Sequence, residues 1–390
     1  MDHSSRKVLA RYKISPMNKP IRLICLLLSV LGMGCAEGPR PAPVVTASVP
    51  APPVISIPVA EFKGDAAAIG TEHGRRFRPE ILDLYHNYML PHLQGSLLTK
   101  ARVAAATFEL YMLPDHRTEA QALGKESGIG VFDAVVAQCF LDLMPVEGCS
   151  TITLPASASP DRVARFGRNL DFDSLGMLEN HSVLMIYHPA GKYQFAAIGW
   201  PGMIGVVSGM NEWGLSLANM EVDRGFRPPT AMPYTLLYRA VLEQCRTVDE
   251  AIDFLNRTPR QTANNLMLMD AAGNRAVAEI RPDGVTVRRG TEQQALISTN
   301  HQRGQDTATP GYCWRYDALR SQAAANFGEI GVPALQKMLG SVVQGSNGEM
   351  TLQSMIFEPA NRVVYLATGL DAPAHCYERI DLNRYFVAGK

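Results

Sequence analysis

Val146-Glu147-Gly148-Cys149-Ser150-Thr151 is the stretch at which the chain changes texture. Before it, residues 59–148 read as mainly helical. Leu82-Asp83-Leu84-Tyr85, the run from Lys100 to Leu113 and the run from Val131 to Leu143 carry apolar residues at three- and four-residue spacing. After it come short β-rich runs: Ser150–Leu154, Val163–Leu170, Val183–Tyr187, Tyr193–Ile198 and Gly205–Ser208. Gly, Pro and Asn punctuate them, as in the turns His188-Pro189-Ala190-Gly191 and Ala272-Gly273-Asn274.

Working outward, a helical pair is expected at Pro233–Cys245 and Val248–Leu255, the second opened by the capping-box pattern Thr247-Val248-Asp249-Glu250. Strands resume at Leu266–Met269, Ala276–Ile280, Val285–Arg289 and Ala295–Ser298. Helices follow near Cys313–Asn326 and Val332–Leu339, then a hairpin from Ser354–Phe357 to Val363–Ala367. Strand clusters with helices between them predict an α+β layered domain, not a doubly wound sheet.

Arg168 lies nineteen residues past Cys149, within Phe166-Gly167-Arg168-Asn169-Leu170-Asp171-Phe172. The Gly-Cys junction paired with Gly-Arg-Asn-x-Asp resembles the N-terminal-nucleophile (Ntn) hydrolases of the branch that includes acyl-coenzyme A:6-aminopenicillanic acid acyltransferase. That branch is related to choloylglycine hydrolases, penicillin V acylases and acid ceramidase. The resemblance runs over roughly residues 60–385 and takes in Gly70, Gly74 and Phe77 and the segment Glu126-Ser127-Gly128-Ile129. It implies a four-layer αββα sandwich, two antiparallel sheets between helices. It also implies self-cleavage between Gly148 and Cys149, which would make 59–148 a helical pro-segment that stays bound (the alpha subunit) and 149–390 the catalytic domain (the beta subunit).

The chemistry explains why these residues belong together. A cysteine at a chain's own amino terminus can use its α-amine, pKa about 7.7–8.0, as the general base for its thiol. Exposing that amine requires attack of the Cys149 thiol on the Gly148 carbonyl, and glycine permits the strained backbone this needs. In the family the arginine matching Arg168 supports the thiolate, and the aspartate matching Asp171 accepts a hydrogen bond from the cysteine's amine. Three residues apart in a regular strand, Arg168 and Asp171 point to opposite faces, so a bend or strand end after Asn169 is expected to unite them.

Each tetrahedral oxyanion needs donors already aimed at it, worth ~3–4 kcal/mol each. Asn300, ending the strand Ile297-Ser298-Thr299-Asn300, resembles the family asparagine with that role. In Ser208-Gly209-Met210-Asn211-Glu212-Trp213-Gly214-Leu215, Asn211 reads as a turn former, and Asn219 or Glu221 on the following strand is expected to line the pocket. Arg315 stands where family members carry an arginine near the site. Trp200 and Trp213 either shape an acyl pocket or fill core, and His301 is a weak alternative base. No pattern marks a coenzyme A site, so hydrolysis and acyl transfer both stay open.

The amino terminus reads as an address label. Arg6, Lys7, Arg11, Lys13, Lys19 and Arg22 precede an apolar run, Leu23 to Leu31, too short to span a membrane, so 1–35 is expected to be a signal peptide. Gly34-Cys35 resembles a bacterial lipoprotein cleavage site, although Leu31 stands four residues before the cysteine and not three. On that reading Cys35 carries the lipid, and the Pro/Ala-rich linker 36–58 tethers an exported domain, periplasmic or membrane-anchored. Beyond Cys25 and Cys35, five of the seven cysteines remain, an odd number that directs attention to one reactive thiol. None has zinc-site spacing, and no metal or other cofactor is expected.

With 37 basic and 37 acidic residues and no basic stripe, nucleic acid is excluded as a partner, while 46% apolar residues supply a sizeable core. The expected partners are a small-molecule amide or acyl substrate, the chain's own pro-segment and, through a lipid anchor alone, a membrane. Three functions compete. A self-processing cysteine amidohydrolase or acyltransferase predicts a cut before Cys149. A Cys–His thiol protease predicts activity without one, and a non-catalytic lipoprotein binding module tolerates replacement of Cys149.

Overall fold

The computed structural model describes residues 56–143, 148–222, 229–304, 312–346 and 349–386. The expected signal peptide with Cys35, linker residues 36–55, and Val146-Glu147 lie outside them.

Alternation along the strands builds the architecture. In Asn264–Met269, Leu266 and Leu268 pack to one side and Met267 and Met269 to the other, the period-2 pattern of a strand buried on both faces. Numbered along the chain, one eight-stranded sheet holds β1 (Val59–Gly64), β4 (Val183–Pro189), β5 (Phe195–Gly199), β6 (Ser208–Asn211), β7 (Ser216–Glu221), β8 (Asn264–Met269), β9 (Arg275–Arg281) and β10 (Gly284–Arg289), in that spatial order. A second, seven-stranded sheet holds β2 (Ser150–Leu154), β3 (Arg165–Asp173), β11 (Leu296–Ser298), β12 (Gly345–Ser346), β13 (Glu349–Glu358), β14 (Val363–Thr368) and β15 (Glu378–Asp381). Its order is β11-β2-β3-β13-β14-β15, with β12 paired to β13.

Three apolar clusters stack these layers. One, with Phe166, Leu170, Ile186, Met267 and Phe357, fills the space between the sheets. A second seats the helices Tyr234–Gln244 and Val248–Arg257 on the eight-stranded sheet, and a third seats Trp314–Ala325 and Val332–Gly340 on the other. The result is helices, sheet, sheet, helices. At Val248–Arg257, Thr247 caps the Glu250 N–H, and the Glu250 carboxylate reaches back to the Arg246 N–H, one residue before the cap.

The stretch before Gly148 departs from the helical reading at its first element. Val59–Gly64 is a strand, with Ala60 and Phe62 buried, and it pairs parallel with β4 at the sheet's edge. Helices then run from Ala66 to Leu143, with a π-helical turn at Leu84–Met89. This segment is locked to the rest by buried charge. Arg239, on Tyr234–Gln244, donates to both carboxylate oxygens of Glu119 at 2.7 and 2.6 Å and to Glu243 at 2.8 Å, while His116 meets Glu243 at 3.0 Å. Removing one partner of such a desolvated pair leaves a buried charge uncompensated and costs about 3–5 kcal/mol.

Candidate active site

Cys149 sits at the mouth of β2, directly after Gly148, whose φ of +118° is a conformation glycine adopts without a Cβ penalty. Strand β3 lies beside β2, with Thr151 opposite Arg168 and Ser150 opposite Asn169. Along β3, Phe166 and Leu170 face the other sheet. Gly167 and Asn169 face the outer helices, where a Cβ on Gly167 would meet Leu335 and Asn169 donates to the Leu339 carbonyl. Arg168 therefore points between the sheets and Asp171 toward the helices.

Neither the expected bend nor a strand end follows Asn169, for β3 runs unbroken from Arg165 to Asp173. The two residues still serve one site, because Cys149 stands at the end of its strand, where the two faces are both within reach. From the inter-sheet side, Arg168 Nη2 comes to 3.6 Å of Cys149 Sγ, and its Nη1 donates to the Asn219 carbonyl at 2.5 Å. Arg168 is buried, and among the described residues no carboxylate pairs with it, so its positive charge is available to the sulfur.

From the helix side, Arg315 ties the site together. Its Nη1 donates to the Cys149 carbonyl at 2.9 Å and to Asp171 Oδ2 at 3.3 Å, and its Nη2 donates to Asn300 Oδ1 at 3.1 Å. Asn300 Oδ1 also accepts the Cys149 N–H at 2.9 Å, and its Nδ2 donates to the Glu221 carbonyl at 2.7 Å. Gly148, Cys149, Arg168, Asp171, Asn300 and Arg315 thus converge from three chain regions.

Asn219 joins by its main chain alone. Its neighbours Ala218 and Met220 fill the space between the sheets, so its side chain goes to the opposite face with that of its cross-strand partner Leu266. Glu221 shares that face and lends its carbonyl to Asn300. Asn211 closes its turn, its Oδ1 accepting the Trp213 and Leu215 N–H groups. Among the described residues the hydrogen-bond partners of Cys149 Sγ are Arg168 and the Asp171 carbonyl, neither of them an imidazole.

Two polar residues at the site carry no motif. Thr351 donates to Asp171 Oδ1 at 2.5 Å, brought opposite it by a bulge in β13 between Thr351 and Gln353. Asn265, on β8, binds the carbonyls on either side of Asn300. The doublet Asn264-Asn265 before an apolar run was the one available signal for the second.

An apolar cavity opens where the segment before Gly148 meets the sheets. Tyr85, Tyr88 and Phe140 line it from that segment, and Phe172, Trp200 and Met203 from the chain after Cys149; Phe172 directly follows Asp171. Of the two tryptophans, Trp200 lines this cavity, while Trp213 is exposed beneath the Arg246 guanidinium. Cys139, Cys149, Cys245 and Cys313 are in no disulfide, and among the described residues no cluster of His, Cys, Asp or Glu could hold a metal ion.

Comparison with known proteins adds to this geometry. N-acylethanolamine-hydrolyzing acid amidase of Caenorhabditis elegans is 25% identical over 171 residues, 40% of this chain and 47% of that protein, so the chain spans about half the length of the curated relative it matches. Among solved structures, a mutant conjugated bile acid hydrolase of Clostridium perfringens aligns at 16% identity and TM-score 0.45, over 60% of this chain and 93% of that one. Penicillin V acylase of Agrobacterium tumefaciens aligns at 15% identity and TM-score 0.44, over 60% and 87%. The family model of acyl-coenzyme A:6-aminopenicillanic acid acyl-transferase matches residues 158–373, more than half of the chain, taking in Arg168, Asp171, Asn300 and Arg315. By that match the chain belongs to the acyl-coenzyme A:6-aminopenicillanic acid acyl-transferase family.

Proposed function

We propose that this protein is an exported, self-processing cysteine amidohydrolase, or acyltransferase, acting on linear amides through an acyl-enzyme at Cys149. The observation that carries the reading is the Cys149 nitrogen held by Asn300 Oδ1 beside a sulfur faced by Arg168. In the first step Sγ attacks the Gly148 carbonyl carbon, and the peptide C–N bond breaks as the nitrogen takes a proton. Water then hydrolyses the thioester, leaving a Gly148 carboxylate and Cys149 with a free thiol and a free amine. The amine thereafter serves as base. It accepts the thiol proton as Sγ attacks a substrate amide and delivers it to the departing amine, and the acyl-enzyme is released by water or by a second amine.

Arg168 stabilises the anionic sulfur, and Arg315 holds Cys149, Asp171 and Asn300 in one frame. Asn300 Nδ2, on the amide whose oxygen holds the Cys149 nitrogen, serves the oxyanion by exchanging the Glu221 carbonyl for it. The cavity favours an apolar acyl group, since its walls are aromatic and aliphatic. The basic leader and short apolar run support export, and Gly34-Cys35 supports a lipid anchor on Cys35. The segment 59–148 remains as a bound subunit, supported by its strand in the sheet and its buried ion pairs.

Intact mass of the purified protein beside a Cys149→Ala variant tests this. Two chains, the larger beginning at Cys149, are expected from the wild type and one whole chain from the variant. An uncut wild type removes the base and the reading with it.

A further inference from the structure

The loop that carries Asn300 is gripped from the opposite sheet. It leaves β11 and runs from Thr299 to Gly304. Asn265 Nδ2, reaching across from β8, donates to the Thr299 carbonyl at 2.8 Å and to the His301 carbonyl at 3.0 Å. Further along, Gln302 Nε2 donates to the Ile280 carbonyl at 2.9 Å, and the Glu279 carboxylate accepts the Arg303 and Gly304 N–H groups at 2.7 Å each. Asn300 is the residue enclosed between the two carbonyls that Asn265 holds, and its own side chain turns to Cys149.

Asn265 is fully buried, and among the described residues its Oδ1 has no hydrogen-bond partner. An unpaired buried acceptor is a cost to the fold, so stability alone does not explain an amide here. The two donor bonds on either side of Asn300 do.

We propose that Asn265 is a positioning residue for the reaction. By fixing the carbonyls of Thr299 and His301, the residues on either side of Asn300, it sets the amide oxygen against the Cys149 nitrogen, which is the leaving group of self-cleavage and afterwards the base. The inference rests on the self-processing function proposed above. It requires no contact between Asn265 and substrate, and the charged groups around Cys149, namely Arg168, Asp171 and Arg315, are left untouched by its replacement.

The test is Asn265→Leu, similar in shape, without donors and without the orphaned acceptor. Self-cleavage is followed by intact mass after expression. Alkylation of Cys149 by iodoacetamide is then followed across pH on its own peptide, and Tm is recorded beside both. A Tm within a few degrees of wild type, cleavage slowed about tenfold or more, and a Cys149 alkylation profile displaced to lower pH are expected. The direction follows because a fixed acceptor favours the ammonium form of the amine, so loosening it lets the amine lose its proton earlier. If Asn265→Leu does not fold, Asn265→Ser, which keeps one donor, is read in the same way. A wild type that cuts beside a variant that cuts equally fast with an unmoved pH profile overturns the role of Asn265 alone. A wild type that stays whole overturns the self-processing reading and this role with it.

Discussion

Asn300 presents its amide oxygen to the main-chain nitrogen of Cys149, 2.9 Å away, so one side chain marks the atom that the proposed chemistry uses twice. Asn300→Ala removes the acceptor at that nitrogen and the donor now on the Glu221 carbonyl. Loss of a single aimed donor of this kind costs roughly 100-fold in rate. Self-cleavage of Asn300→Ala, followed by intact mass over hours, is expected to slow by that order. Cutting at the wild-type rate would remove Asn300 from the mechanism.

Arg315 reaches three oxygens with two nitrogens, a task for a planar fork and not for a point charge. Arg315→Lys is therefore expected to behave more like Arg315→Ala than like wild type, with processing slowed in both. Arg315→Ala should also lose stability, because fully buried Asp171 forfeits the guanidinium that pairs with it at the site, a penalty of about 3–5 kcal/mol. Urea midpoints and processing rates, measured together, check this; a lysine variant with wild-type processing would show that charge alone suffices.

Asn219 offers a sharper contrast, since its carbonyl and not its amide meets Arg168. Asn219→Ala keeps that carbonyl and should process within about fivefold of wild type. Arg168→Gln, which strips the positive charge from beside Sγ, should slow processing by about 100-fold or more. Similar losses in the two variants would mean that the Asn219 amide reaches the reaction after all.

How much of this was legible in the sequence depended on distance along the chain. Gly148, Cys149, Arg168 and Asp171 stand within 24 residues, and their spacing announces them. Thr351 meets Asp171 only because β13 pairs with β3 and bulges at Leu352, and a run read as starting at Ser354 left it out. Asn265 was missed for a similar reason: the strand was read from Leu266, yet β8 begins at Asn264. The edge strand Val59–Gly64 was hidden by its short length and the helix-favouring alanines just after it, while its partner β4 is remote in sequence. The alternation of faces along β3 predicts that Arg168 and Asp171 meet only through a bend or strand end after Asn169, a rule that holds within a strand and lapses when the common partner sits at a strand's end.

The last prediction concerns pH and the segment before Gly148. His73, on the helix Ala66–Arg76, is fully buried and stacks on Phe62, and its Nε2 accepts the Gly202 N–H at 3.0 Å, a role for neutral imidazole. Burial, reinforced by the Arg239 charge, lowers its pKa from 6.5 to about 3. Between those limits the unfolded chain takes up a proton that the folded chain refuses. Stability is therefore constant, as far as this group is concerned, above about pH 6.5 and falls as pH drops, by up to ~1.4 kcal/mol per unit, until about pH 3. His73→Gln keeps an acceptor for Gly202 and removes the titration. In a Cys149→Ala background, which under the proposed chemistry keeps the chain whole, urea unfolding at pH 6 and pH 4 should show His73 protein losing about 2 kcal/mol more than His73→Gln. Equal losses in the two proteins would mean that the His73 ring takes up its proton in the folded state as readily as in the unfolded one.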